Sequence, residues 1–349
     1  MNGDRYGTHR VIGEPGLLPQ PARRLDNRMD IRDNEILIDV DTLNIDSASF
    51  TQISGTCGGD PDRIAEAILA IVGERGKMQN PVTGSGGMLI GRVAAVGPAL
   101  ADRGLKPRDP VATLVSLSLT PLRINRIKAV RTETDQVDIE GQAILFESGL
   151  YAVLPEDIPR NLALAVLDVA GAPAQTARLV RPGDRVAVIG AGGKSGLLCL
   201  HAARKAAGPE GRVAAVSLSD RDVAMIRRIG AADVVVQADA TDAVALLDAF
   251  TEAAGGPADV VVNTVNVPNT ELSSVLLCRE RGTVYFFSMA TDFAKAALGA
   301  EGVGKDVTMI IGNGYAEGHA ELALDILRES EGIRELYEEL YAPEEGGRT

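Results

Sequence analysis

Histidine and cysteine are scarce in this chain, at three each in 349 residues. His9, His201 and His319 share no ligand spacing, and Cys57, Cys199 and Cys278 lie far apart with no CxxC pair. A zinc site or dithiol redox couple is therefore not expected, and free thiols are. Basic charge is also short, since 35 Lys and Arg stand against 48 Asp and Glu for a formal net charge of -13. That balance argues against a nucleic-acid binder, which needs a basic face to neutralise phosphates, and against an anionic membrane surface. No apolar run approaches the roughly 18 residues of a spanning helix, and MNGDRYGTHR lacks the apolar core of a secretory signal. A cytoplasmic protein is expected. Apolar content of 45% suffices for sizeable cores, and this length favours two domains sharing a cleft.

What is present centres on Arg185 to Gly196, RVAVIGAGGKSG. An apolar run, Val186 to Ile189, breaks into glycines and is followed by a helical segment, Leu197 to Ala207. A strand, a tight turn and a helix make a phosphate site: Gly190 allows the turn, Gly192 admits a pyrophosphate, and the helix N-terminus offers unpaired N–H groups. Ala191, Gly193, Lys194 and Ser195 complete the expected cofactor contact, and Asn266 is added to it. The spacing is GxGxxxG, with Ser195 where the commoner form has its third glycine. An ATP-type P-loop is excluded, because the residue five positions before Gly193 is Val188. The acidic residue that binds an adenosine ribose is expected about 20 residues past the glycines, where Ser217, Leu218, Ser219, Asp220 and Arg221 stand. Asp220 favours NAD, whereas Ser217 or Ser219 with Arg221 could hold the 2′-phosphate of NADP.

Along the chain, EILIDV at Glu35 to Val40 reads as a strand leading into a polar loop, LNIDSASF. Asp60 and Pro61 start a helix with one apolar face, Ile64, Ala67, Ile68, Ile71 and Val72, and Gly76 closes it. Short strands and glycine turns from Asn80 to Leu117 suggest a compact β-barrel. From Asn161 a helical stretch precedes alternating units, with strands at Val186 to Ile189, Arg212 to Ser217, Asp233 to Val236, Asp259 to Asn263, Thr283 to Phe287 and Val307 to Ile311. Such alternation implies a parallel, doubly wound sheet. His319 to Ala342 reads as an acidic packing helix.

The order of barrel, KPxD turn and RPGDRVAVIGAGG resembles the medium-chain dehydrogenase/reductase superfamily. YGTHRVI, LNIDSASFTQI, KMQNPVTGSGGMLIG and DQVDIEGQAILFESG further resemble its diaminohexanoate dehydrogenase family, as does YFFSMATDFAKAALGAEGVGKDVTMIIGNGY. The resemblance implies an α/β fold, with a GroES-like substrate domain over residues 1–160 and a six-stranded parallel Rossmann domain over 161–314. Residues 315–349 would pack back on the first domain. It also implies NAD-linked oxidative deamination of a 3,5-diamino acid and a homodimer, with a tetramer possible. Where zinc alcohol dehydrogenases carry GHE this chain has Gly84, Ser85 and Gly86, and their other ligand falls at Ala170, so a zinc-free member is expected.

Without a metal, side chains must polarise the reacting C–N bond and move its proton. Asp46 sits where the superfamily places groups against the substrate, with Ser47 and Ser49 beside it; an Asx turn or helix cap is the competing role. By the resemblance Ser85 stands in place of the zinc-binding histidine and should face the cleft; plain turn chemistry is the competing role. Asp168 is either catalytic or a buried partner for an arginine. Glu147 could hold an ammonium group or merely end a strand, and Arg123 could pair with the substrate carboxylate or lie on the surface. Two other classes stay open: a zinc-free NADPH-dependent quinone or enoyl reductase, and a non-catalytic dinucleotide-binding protein.

Overall fold

The computed structural model describes residues 3–288, 290–312 and 314–341. It divides into two compact units, Met1–Asp157 and Ile158–Thr349.

In the first unit, alternation along β1 (Glu35–Asn44) buries Ile36, Ile38 and Val40. A register shift between Val40 and Thr42, against both neighbouring strands, then flips the phase so that Leu43 and Ile45 point inward. The stretch taken as a polar loop is instead the end of β1 and, from Ser47, the start of a helix, α1 (Ser47–Cys57), because Phe50, Ile53 and Cys57 form a buried face. α2 (Pro61–Arg75) starts and stops as expected: Asp60 caps its first N–H groups and Gly76, at φ 67°, ends it. There follow β2 (Met88–Val96), β3 (Pro110–Thr113), β4 (Leu122–Arg131), β5 (Gln136–Phe146) and β6 (Tyr151–Val153). They form one GroES-like antiparallel sheet in the order β4-β5-β1-β2-β3-β6.

A charged cluster ties the N-terminal segment to this sheet. Glu35, fully buried, accepts from Arg10 Nε at 2.7 Å and Nη2 at 2.6 Å, from Arg32 N at 2.8 Å, and meets His9 Nε2 at 2.8 Å. Burial alone would raise the Glu35 pKa, but the bonds from Arg10, Arg32 and His9 outweigh it and hold the carboxyl below its ordinary value. Arg10 also donates to the carbonyls of Asp26, Arg28 and Asp30.

The second unit opens with α3 (Arg160–Leu167) and α4 (Gly171–Leu179), one predicted helical stretch broken in two at Asp168. Next come β7 (Arg185–Ile189), α5 (Lys194–Ala207), β8 (Arg212–Ser217), α6 (Asp220–Ile229), β9 (Val234–Gln237), α7 (Ala243–Ala254) and β10 (Ala258–Asn263). The chain continues through α8 (Glu271–Leu277), β11 (Cys278–Phe286), α9 (Phe293–Gly302), β12 (Thr308–Ile311), α10 (His319–Glu329) and α11 (Glu331–Tyr341). The strands are parallel in the order β12-β11-β10-β7-β8-β9, which is the Rossmann order, with its switch point between β7 and β10. Val186 to Ile189 are all buried, as a strand covered on both faces must be.

The predicted C-terminal helix is two, broken at the extended Ser330, and Ala342 lies outside the described residues. α10 packs on α3, α4 and α5, and α11 on α3 and α6. These helices therefore group with the second unit, where the sequence reading sends residues 315–349 to the first domain. Their buried residues, among them Leu324, Leu327, Leu336 and Tyr337, explain why.

Candidate functional site

The start of α1 gathers several of the expected residues. Asp46 is its N-cap, with Oδ1 accepting from Ser49 N at 2.9 Å. The helix-cap reading is thus correct for one oxygen; the other, Oδ2, is buried with no hydrogen-bond partner. A buried carboxylate oxygen left unpaired is costly and calls for an explanation. Ser49 is fully buried and its Oγ lies 2.6 Å from Thr83 Oγ1, while Ser47 is exposed. Asn80 Nδ2 donates to Ser49 O and Gln52 Oε1, tying the segment 80–87 to α1. Ser85 belongs to that segment: its carbonyl accepts from Asn80 N and its own N–H donates to Thr83 Oγ1. Gly87 completes the approach, since a Cβ there would meet Asn44 O at 2.0 Å and Asp46 N at 2.7 Å. Thr83 and Asn80 were missed; their only sequence signal is the Asn-Pro turn of NPVT.

Two candidates do not join this group. Glu147 follows β5 beside the start of β1, where its Oε2 accepts from Asn34 Nδ2 at 3.0 Å. Asp46 lies past the other end of β1, a separation of roughly 30 Å at about 3.3 Å per residue. One small substrate cannot touch both. Arg123 lies exposed near the start of the edge strand β4, donating to Gln142 Oε1 at 2.6 Å, which is the surface placement.

In the second unit the glycines of the turn after β7 differ in what surrounds them. Gly190, at φ 78°, makes the turn. Gly196 allows α5 to pack on the turn, since a Cβ there would meet Gly190 O at 2.2 Å. Gly192 makes room for the Asp222 side chain, whose Cβ would lie 2.2 Å from an added Cβ. Gly193 has only Gly190 O near its own Cβ position, at 3.3 Å, and as N-cap of α5 it leaves the helix without a side-chain cap. The first N–H groups of α5, beside the buried Ala191 and Ser195, are thus left without a side-chain acceptor and could receive a phosphate.

Lys194 opens α5, and its Nζ reaches Asp168 Oδ2 at 2.6 Å. Asp168 is thus a part-exposed partner for a lysine, where the sequence reading leaves open a catalytic role or a buried partner for an arginine. The Tyr341 ring lies 5.6 Å from the same ammonium, and Tyr337 donates to the Lys194 carbonyl. Asp220 Oδ1 accepts from Gln237 Nε2 at 2.8 Å, Arg221 is exposed, and Ser217 Oγ donates to Asp222 Oδ2 at 3.0 Å. Asp222 was missed, although the Ser219-x-x-Asp222 spacing is a capping signal. Asn266 is exposed and accepts from Ser288 Oγ. Among the described residues no three His, Cys, Asp or Glu side chains group as metal ligands.

Residues 9–155 match the family model described as L-erythro-3,5-diaminohexanoate dehydrogenase N-terminal domain, and residues 195–313 match the one described as zinc-binding dehydrogenase. A protein of Acetoanaerobium sticklandii named L-erythro-3,5-diaminohexanoate dehydrogenase is 58% identical over 98% of this chain and 100% of its own. The chain belongs to the L-erythro-3,5-diaminohexanoate dehydrogenase family. A Fusobacterium nucleatum protein of the same name is 57% identical over 97% of this chain and 99% of its own. Solved structures place this dehydrogenase family within a broader fold. The CurK enoyl reductase superposes with a TM-score of 0.53 at 17% identity, covering 95% of this chain and 85% of that one. The quinone oxidoreductase from Coxiella burnetii gives 0.54 at 16% identity, over 89% and 84%. At such identities the likeness is one of fold alone.

Proposed function

We propose that the protein catalyses the NAD-linked oxidative deamination of L-erythro-3,5-diaminohexanoate at C3, giving 5-amino-3-oxohexanoate and ammonia. The relatives' shared name supports the reaction, and the buried, unpartnered Asp46 Oδ2 carries the chemistry. An ammonium group is rich in N–H donors and bears the charge that a lone carboxylate oxygen lacks.

The proposed sequence is short. Asp46 accepts a proton from the C3 ammonium, leaving the nitrogen lone pair that drives hydride loss. NAD, when bound, supplies the hydride acceptor. Asp46 then releases that proton to solvent; as water adds to the iminium carbon the regenerated carboxylate takes the water's proton and passes it to the nitrogen, which leaves as ammonia when the adduct collapses to the ketone. The residues present fit the dinucleotide: the uncapped start of α5 with Gly193 would hold the pyrophosphate, and Lys194, kept in place by Asp168, would add positive charge beside it. NAD is chosen over NADP because carboxylates flank the end of β8, while Arg221 is exposed. Ser85 and Ser49 position the segment facing Asp46. Neither Glu147 nor Arg123 is assigned to the substrate.

A homodimer through the β12 edge is part of the reading, since β12 ends the sheet with Ile311 exposed, and Phe293 and Leu298 on α9 are further exposed apolar side chains. No helix among the described residues is long and apolar enough to cross a membrane, and a cytoplasmic site of action is proposed with it. The test is NADH formation by the purified protein from 3,5-diaminohexanoate. Stoichiometric ammonia and NADH support the reading. Absence of turnover with NADH binding retained overturns it, and makes conjugated carbonyl compounds the next substrates.

A further inference from the structure

Dinucleotide-binding sheets usually end their second strand in an acidic residue that receives the adenosine ribose hydroxyls, about 20 residues past the glycines. Here that strand, β8, ends in Ser217, which carries no charge. A carboxylate nevertheless arrives at that place from the next element. Ser219 caps α6 by accepting from Asp222 N at 3.1 Å, which fixes Asp222 in the first turn. Its side chain turns back, so that Oδ2 accepts from Ser217 Oγ at 3.0 Å while Cβ and Cγ press on Gly192. The carboxylate is thus wedged between the end of β8 and the glycine turn after β7.

We infer that Asp222, held by Ser217, is the residue that recognises the adenosine ribose and rejects a 2′-phosphate. The inference deepens the proposed NAD-linked reading by naming its specificity determinant. Ser217 has one hydroxyl proton and gives it to Asp222, so it has none for a phosphate oxygen. Asp222 Oδ1 is the acceptor offered to a ribose hydroxyl, and its charge repels a phosphate placed there. Asp220 is turned to Gln237 on β9 and does not share the task. Gly192 gains a reason of its own: any side chain at that position displaces the carboxylate.

The test is equilibrium binding of NADH and of NADPH to the full chain, followed by nicotinamide fluorescence, with D222N, D222A and G192A beside the wild type. Wild type is expected to favour NADH. D222N, which keeps an oxygen for Ser217, and D222A should lower the NADH-over-NADPH preference by about tenfold or more, the worth of one charge-assisted hydrogen bond. G192A should lower it in the same direction. Unaltered melting temperature in D222N shows that the change is not one of folding. An unmoved preference in folded D222N and D222A overturns the inference, as does a wild type that favours NADPH. Because binding needs no amino substrate, the expected shift without diaminohexanoate turnover overturns only the reaction, and turnover with an unmoved preference overturns only the Asp222 assignment.

Discussion

Replacing Asp46 by Asn separates its two oxygens. Asn caps helices as well as Asp does, so the bond from Ser49 N to the remaining side-chain oxygen should survive, and stability should change by no more than about 0.5 kcal/mol. The Oδ2 position becomes an NH2 group, which can neither take a proton nor accept from an ammonium. A hydrogen bond to a charged group is worth about 1.5–3 kcal/mol, or roughly 10- to 150-fold in kcat/KM. Loss of a general base adds a factor of about 10²–10⁴ in kcat. The assay is steady-state NADH formation from 3,5-diaminohexanoate, with NADH binding and thermal melting as controls. D46A should lose both cap and carboxylate, and so fall in stability by about 1 kcal/mol as well. A D46N enzyme with wild-type kcat/KM would refute the reasoning, since the unpaired oxygen would then serve no ligand.

Four further outcomes are expected. Glu35→Gln leaves Arg10 buried without its charge partner and should cost about 3–5 kcal/mol by urea unfolding. Because the folded Glu35 pKa is held below its ordinary 4.5, its contribution is full above that value and fades as pH falls; Glu35→Gln should lose this acid-dependent component. Lys77 is fully buried, donates to the carbonyls of Pro19 and Gln20, and is pushed by burial down to about 8 from 10.5. Between those values the unfolded chain holds a proton that the folded chain has released, so stability from this group rises with pH, and unfolding curves of Lys77→Met should lack that rise. Arg123→Ala should leave KM for the diamino acid unchanged and shift stability by about 0.5 kcal/mol at most. Activity should survive exhaustive chelation, and loss restored only by zinc would contradict the proposed chemistry.

Periodicity made the second unit readable almost strand by strand, because buried parallel strands such as Val186–Ile189 are continuous apolar runs bounded by turns. The first unit was harder. Its short antiparallel strands carry weak signals, and α1 hid behind the serines that begin it, although Phe50, Ile53 and Cys57 keep helical spacing. Asp46 was legible as a candidate because the family resemblance places groups against the substrate in its loop. The unequal fate of its two oxygens was not, since that depends on how residues 80–87 fold against α1. Asp222 escaped notice for a related reason. A rule that looks for an acid at a strand end does not see one returned to that end by the following helix. Glu147 and Arg123 show the converse error: suitable chemistry in sequence, placed by the sheet well away from Asp46.

The register shift at Asp41 has a consequence for how this unit tolerates change in length. Every residue from Leu43 to Asp46 owes its facing to that one irregular step, so removing a residue there would send Leu43 and Ile45 to the opposite side and rotate the first turn of α1 with them. Natural variants should therefore gain and lose residues more freely at the exposed Gly58–Gly59 turn, yet keep the count between Glu35 and Asp46 constant. The bulge acts as a spacer whose length is inherited as strictly as a side chain.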